Sequence, residues 1–333
     1  MKLFIIIPLF SLLFSQEPNK YLEGIEKRSK SLDVTDRKYG DHNGNRIFNR
    51  FYNFGGIGDA GGSLSGIYPY GSGHSYFYEF TPVVAASVID TNGNRVHIVS
   101  DGAVALKDNS PQGYQWGFEP LTGYANPNQE IMAMSDKSFT WPETWPNRES
   151  DWDGFWNGQY GKYVRADQES YFVMDDYYND EFSHFPDSTD FDAVPKRRSG
   201  LGVELEVRVY QWNHPAAEDI IIVTYWITNV GTSRLDSVIF GMYGDADIGS
   251  TNGDYTDDDA WFDVENDIVY QWDHDGWSNA DGGFKPVYFG WSFLESPGNP
   301  HDGIDNDEDG MIDESQFDGI DNDGDWLAER DDI

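Results

Sequence analysis

Apolar and polar positions alternate most regularly in "GVELEVRVYQW". There Val203, Leu205, Val207 and Val209 point one way and Glu204, Glu206 and Arg208 the other. A period of two predicts a β-strand with one wet face. The next run, "IIIVTYWIT" (Ile220–Thr228), is apolar at odd and even positions alike and predicts a central strand covered on both faces. "NVGTS" turns the chain into "LDSVIFGMYGD", and "NDIVYQWD" and "PVYFGWSFLE" supply two more strands. Upstream, "FTPVVAASVIDTNGNRVHIVSDG" sets two β-rich runs around Asn92-Gly93, which predicts a hairpin closed by a type I′ turn with positive φ at both residues. At least five strands with turn signals between them predict a mostly β chain, built as an antiparallel β-sandwich with little helix.

The remaining segments have other textures. "MKLFIIIPLFSLLFSQ" carries one Lys, an apolar run and a small residue at Ser15, the pattern of a secretory signal peptide cut near Ser15–Gln16. No later segment reaches the length of apolar chain that spans a bilayer, so no stable membrane insertion is expected. The resulting division is a signal peptide (1–15), a polar leader (16–40) with a short helix around Tyr21, Leu22 and Ile25, and a glycine-rich β region (41–140). An aromatic and acidic loop segment (141–200), a β-sandwich (201–298) and an acidic tail (299–333) complete it.

Charge narrows the partners. A formal net charge of −37 over 333 residues opposes binding to nucleic acid, whose phosphates call for Lys and Arg. It equally opposes docking on anionic lipid. Cations, neutral glycans and other surface proteins remain as candidate partners. With no Cys there is no disulfide, thiolate metal site or cysteine nucleophile. Catalytic signatures are also missing. The glycine-rich stretch 53–80 has no Lys for a phosphate loop, and "GSLSG" places Leu64 where a nucleophile elbow needs Ser. The seven His are scattered without an HExxH. Two carboxylates suffice for a glycosidase, but 59 acidic residues select no particular pair. Trp141, Trp145, Trp152, Trp156, Tyr177 and Tyr178 sit in loop-like sequence beside Asp and Asn. They read either as a stacking platform for sugar rings or as plugs closing the ends of the sandwich.

The acidic tail repeats "DGIDND" at a spacing of sixteen residues. Counting from Asp305, carboxylates fall at positions 1, 3 and 5 (Asp305, Asp307, Asp309), Gly310 follows at 6, the Met311 carbonyl at 7 and Asp313 at 9. Alternate carboxylates around a glycine turn are what Ca²⁺ requires, since it takes six to eight oxygens. Position 12 is Gln316, so the loop is not an EF-hand. The second copy places Asp321, Asp323 and Asp325 at 1, 3 and 5, Glu329 at 9 and Asp332 at 12, with Trp326 in place of the glycine. A solvated acidic tail explains this composition but not the two in-phase spacings. "GDADIGSTNGDYTDDDAWFD" reads either as a wet acidic loop or as a further cation site, the latter if the loop brings Asp245 and Asp247 against Asp257, Asp258 and Asp259.

"DGIDNDEDGMIDE" resembles the thrombospondin type 3-like calcium repeats of exported proteins from Bacteroidetes-like bacteria. The block from Gly202 to Gly249 is similar to β-sandwich segments of such proteins, many of which carry a C-terminal type IX sorting domain. No sorting domain is recognisable before the end at "AERDDI", so the chain is expected to be a fragment of a longer protein. The resemblance implies export and calcium, and no particular reaction. The sequence thus reads as a secreted or cell-surface non-catalytic module stabilised by Ca²⁺, adhesive or part of a larger surface protein. The alternative is a carbohydrate-binding or glycoside-active protein using its Trp/Tyr-rich loops.

Overall fold

A computed structural model describes residues 36–59, 65–103, 116–187, 197–249, 257–263 and 266–294, together with the backbone of residues 3–11. The protein is mostly β, and its strands pair antiparallel except along the first. Among the described residues no helix is long and apolar enough to cross a membrane. The helix expected near Tyr21 lies outside the described residues.

The strands are β1 (Leu3–Ser11), β2 (Tyr39–His42), β3 (Asn49–Tyr52), β4 (Phe77–Ile89), β5 (Arg95–Asp101), β6 (Glu119–Pro120) and β7 (Ala133–Met134). They continue with β8 (Gln168–Asp175), β9 (Val203–Gln211), β10 (Ile220–Asn229), β11 (Asp236–Ala246), β12 (Asp258–Asp263), β13 (Ile268–Asp273) and β14 (Tyr288–Ser292). The larger sheet runs β12-β13-β14-β1-β10-β9-β8-β6, with β7 also paired to β8. A smaller sheet runs β11-β4-β5, and β2 pairs with β3. Part of the stretch read as a signal peptide thus forms β1, which runs parallel to β10 on one side and β14 on the other.

One buried cluster draws on both larger sheets: Val84, Ala86, Val88 and Ile98 from β4 and β5, and Leu205, Val207, Ile221, Val223, Phe289 and Trp291 from the nine-stranded sheet. The apolar face expected on β9 is this core face, with Val203, Leu205, Val207 and Val209 all buried. Its opposite face is not uniformly wet. Glu204 and Glu206 are partly exposed, but Arg208 is buried, its guanidinium 4.0 Å from the centre of the Tyr171 ring and bonded to the Asn157 carbonyl. Arg208 is covered because residues 121–157 fold over that side of the sheet. β10 is central as expected, yet Ile220, Ile222 and Trp226 are only half-buried, so its second face is not fully covered.

That covering segment builds a second core from Tyr124, Ala133, Trp145, Trp156, Tyr171 and Val173. On β8, Tyr171 and Val173 enter this core while Phe172 and Met174 enter the main one, so the strand is buried on both faces. The two indole N–H groups find acceptors, Trp145 at the Phe155 carbonyl and Trp156 at the Glu169 carboxylate. An indole is stable in a core on that condition.

The hairpin expected at Asn92-Gly93 forms between β4 and β5, but its turn differs from type I′. Only Gly93 has positive φ, at 83°. The Asp90 carboxylate accepts bonds from the backbone N–H groups of Asn92 and Asn94 and holds a five-residue loop instead of a two-residue one.

Two glycines of β11 offer a test of packing on the smaller sheet. A Cβ at Gly244 would overlap the Phe80 ring, which Phe77, Phe289 and Trp291 hold from other sides. A Cβ at Gly241 would meet nothing within 4 Å. Gly244→Ala should therefore destabilise by about 1–3 kcal/mol, while Gly241→Ala is neutral or slightly stabilising. Urea unfolding of the two variants makes the comparison. Equal costs would mean that Phe80 yields freely.

Candidate metal centre

The acidic loop after β11 and the β12–β13 hairpin meet at one end of the larger sheet. Hairpin pairing sets Asp258 opposite Asp273, the first residue of β12 against the last of β13. Asp257 stands just before β12, and Asp275 stands in the turn "DHDG" that follows β13. One carboxylate oxygen from each of Asp257, Asp273 and Asp275 lies within 4.8 Å of the other two. Oxygens on opposite sides of one Ca²⁺ are about 4.6–5.2 Å apart, twice the metal–oxygen distance, so this group is compact enough to share an ion. The cluster can hold a metal ion.

Backbone contacts hold the frame of the site. The Asp273 carboxylate accepts the Trp277 N–H at 2.9 Å, and Asp275 accepts the same N–H at 2.9 Å, which curls the turn inward. The His274 N–H bonds to the Asp257 carbonyl at 3.1 Å and ties the turn to the start of β12. From the loop after β11, the Ile248 N–H donates to Asp258 at 2.8 Å, which sets the buried Asp247 beside the hairpin. Gly249, at φ 103°, packs on Ser278, whose hydroxyl donates to the Gly249 carbonyl, and an added Cβ would stand 2.8 Å from the Ser278 Cβ. Positive φ disfavours a side chain there in any case.

Three buried oxygens at this end of the hairpin have no hydrogen-bond partner: Asp257 Oδ1 and Asp273 Oδ2 of the group, and Oδ1 of the neighbouring Asp258. Asp273 is only 4% exposed. A buried acceptor without a partner is costly, and an unpaired buried charge more so. Burial, followed by the charges of Asp247, Asp273 and Asp257, lifts the Asp258 carboxyl to about 7, although the Ile248 N–H opposes the shift. Burial and then Asp245 lift Asp247 to about 6, and burial is also the main cause that raises Asp273. These carboxylates share a pocket that favours protons or a cation over bare charge. All the candidate ligands are oxygens. His274, exposed, turns its Nδ1 to Asp259 at 2.7 Å.

Of the residues expected in this loop, only Asp257 belongs to the group compact enough to share an ion. Asp247 and Asp258 lie beside it, close enough for their charges to act on one another. Asp245 is exposed at the end of β11 and acts only through its charge, and Asp259 is engaged by His274. Asp273 and Asp275, which complete the cluster, went unrecognised in the sequence, although "DHDG" carries the D-x-D-G phrase that marks the first tail repeat. The residues expected as ligands in the tail, Asp305, Asp307, Asp309, Met311, Asp313, Asp321, Asp323, Asp325, Glu329 and Asp332, lie outside the described residues.

The loop aromatics considered as a sugar platform are mostly covered. Trp145, Trp156, Tyr177 and Tyr178 are buried, and Trp141 and Trp152 pack partly against the second core. The Trp152 ring also lies beneath the Arg148 guanidinium at 4.6 Å.

Comparison with protein-family models, curated proteins and solved structures finds no match for this chain.

Proposed function

We propose that this protein is a secreted or cell-surface non-catalytic module, built as a β-sandwich and stabilised by Ca²⁺, with an adhesive or structural role in a larger surface assembly. The observation that carries the reading is the cluster of Asp257, Asp273 and Asp275, with buried, partnerless oxygens on Asp257, Asp273 and the adjacent Asp258. An all-oxygen ligand set of high charge suits a hard cation, and a loose frame of loop and hairpin suits Ca²⁺ better than the smaller Mg²⁺ with its strict octahedron. The two acidic repeats of the tail supply the same chemistry. Cation binding joins the loop after β11 to the hairpin, so ligation and stability are one free energy.

Terbium luminescence and calorimetry on the full chain test the cation. Asp273→Ala should remove one class of sites and leave the tail sites, while Asp305→Ala with Asp307→Ala should do the reverse. A titration without heat or luminescence at millimolar cation would end this reading. Export has its own check. Cleavage near Ser15–Gln16 would withdraw β1 from between β10 and β14, so the secreted form should begin close to Gln16. An exported chain that still begins at Met1 speaks against this leader.

A further inference from the structure

The register of the β12–β13–β14 ladder sorts its side chains onto two faces. Phe289 and Trp291 of β14 point into the main core. Tyr288, alternating with them, belongs to the other face, and its ring meets Tyr270 at 6.0 Å and Trp272 at 5.8 Å. Tyr270 and Trp272 touch in turn at 5.5 Å. On β12 the residue opposite Tyr270 is Trp261, which is 62% exposed, and opposite Tyr270 on β14 stands Gly290, which adds no side chain to the strip. The planes of the three touching rings differ by 32–54°, a ribbon that turns with the sheet's own twist. Polar groups border it on the same face: Asp259 opposite Trp272, with His274 bonded to it, and Asp263 two residues beyond Trp261.

We propose that this strip, made by Trp261, Tyr270, Trp272 and Tyr288, is a binding platform for a neutral polysaccharide. A pyranose offers a flat apolar face of C–H groups and a rim of hydroxyls. The rings take the first, Trp261 exposed and Tyr270, Trp272 and Tyr288 half-buried, and the Asp259 and Asp263 carboxylates accept hydrogen bonds from the second. The competing occupants fit less well. Nucleic acid and acidic glycans meet a net charge of −37. A protein interface draws charge away from its core, whereas carboxylates alternate with the rings here. A quaternary or methylated amine is held in an aromatic cage, and these rings line one sheet face without enclosing a space.

The experiment is affinity electrophoresis of the full chain through gels cast with xyloglucan, xylan, mixed-linkage β-glucan or galactomannan, with dextran sulfate as the charged control. At least one neutral polymer should retard the protein, and Trp261→Ala should weaken that retardation about tenfold. Trp261 is largely exposed on an edge strand, so its loss leaves the core in place; unchanged terbium binding verifies this. Trp272→Ala should act in the same direction, and Phe155→Ala, an exposed ring elsewhere, should have no effect. No retardation by any neutral polymer would overturn the proposal. So would self-association that vanishes in Trp261→Ala, or retardation that Trp261→Ala leaves unchanged.

Discussion

Asp176→Ala destabilises the protein by about 3–5 kcal/mol, the cost of removing one side of a buried charged network. The carboxylate is fully buried and accepts backbone N–H groups from Leu201 at 2.6 Å and from Gly202 and Val203 at 3.1 Å. It also accepts the Ser100 hydroxyl at 3.0 Å. These donors belong to the approach to β9 and to β5, so one side chain at the end of β8 pins both larger sheets. Alanine leaves four donors facing a void. Burial raises the Asp176 carboxyl above its usual range, and Arg198 with the Leu201 and Val203 N–H groups works against that rise. Asp176→Asn keeps the shape and one acceptor oxygen and should cost less. Urea unfolding of the two variants measures both costs. A loss below about 1 kcal/mol for alanine would mean that water satisfies the four donors and that Asp176 is no anchor.

Sequence and structure part company where long-range cover decides a residue's surroundings. The strand signals from Val203 onward were legible because a two-residue period depends on the strand itself, and the core face of β9 follows directly from it. Arg208 was read as wet because nothing local announces that residues 121–157 lie over that face; its partner Tyr171 is 37 residues away in the chain. Asn92-Gly93 marked the hairpin correctly, but Asp90, with an acceptor for two N–H groups, selected a longer turn. The loop tryptophans left two readings open, and burial of Trp145 and Trp156 follows from β8 needing cover on its second face.

The candidate metal centre was half legible for a similar reason. Asp247 and Asp257–Asp259 drew attention as a dense local run. Asp273 and Asp275 come from the far end of a hairpin, and only the pairing of Asp258 with Asp273 carries them to the same place. Composition could not single them out among 59 acidic residues. The D-x-D-G phrase shared by "DHDG" and the tail's "DEDG" was a signal, but "DWDG" at Asp151–Gly154 carries it too, so spacing alone does not select them. The ring strip, with Trp261 exposed and the other three rings half-buried, is invisible to any motif. Tyr270 and Trp272 read as part of an ordinary alternating strand until the register shows which neighbours they share.

Stabilisation by Ca²⁺ is expected to be small near pH 5 and large near pH 8. The folded chain holds Asp258 at about 7 and Asp247 at about 6, above the usual carboxylate range, so between pH 4 and 7 it binds more protons than the unfolded chain. Without a cation, folding stability is therefore greatest below about pH 4 as far as these groups are concerned, and it falls as pH rises through their folded values. The lost protons leave negative charge in a buried cluster. A cation removes that penalty, and it competes with the same protons for the same oxygens. If only Asp258 must deprotonate, apparent affinity at pH 5.5 should be about thirtyfold weaker than its plateau above pH 8. Titrations with Ca²⁺ at a series of pH values, in two buffers of different ionisation heat, read both the affinity and the protons released. Asp258→Asn should flatten the pH dependence of the cation-free protein, because the residue then carries no charge to lose. An affinity constant from pH 5.5 to 8 would mean that Asp258 is no ligand and that its protons do not compete with the ion.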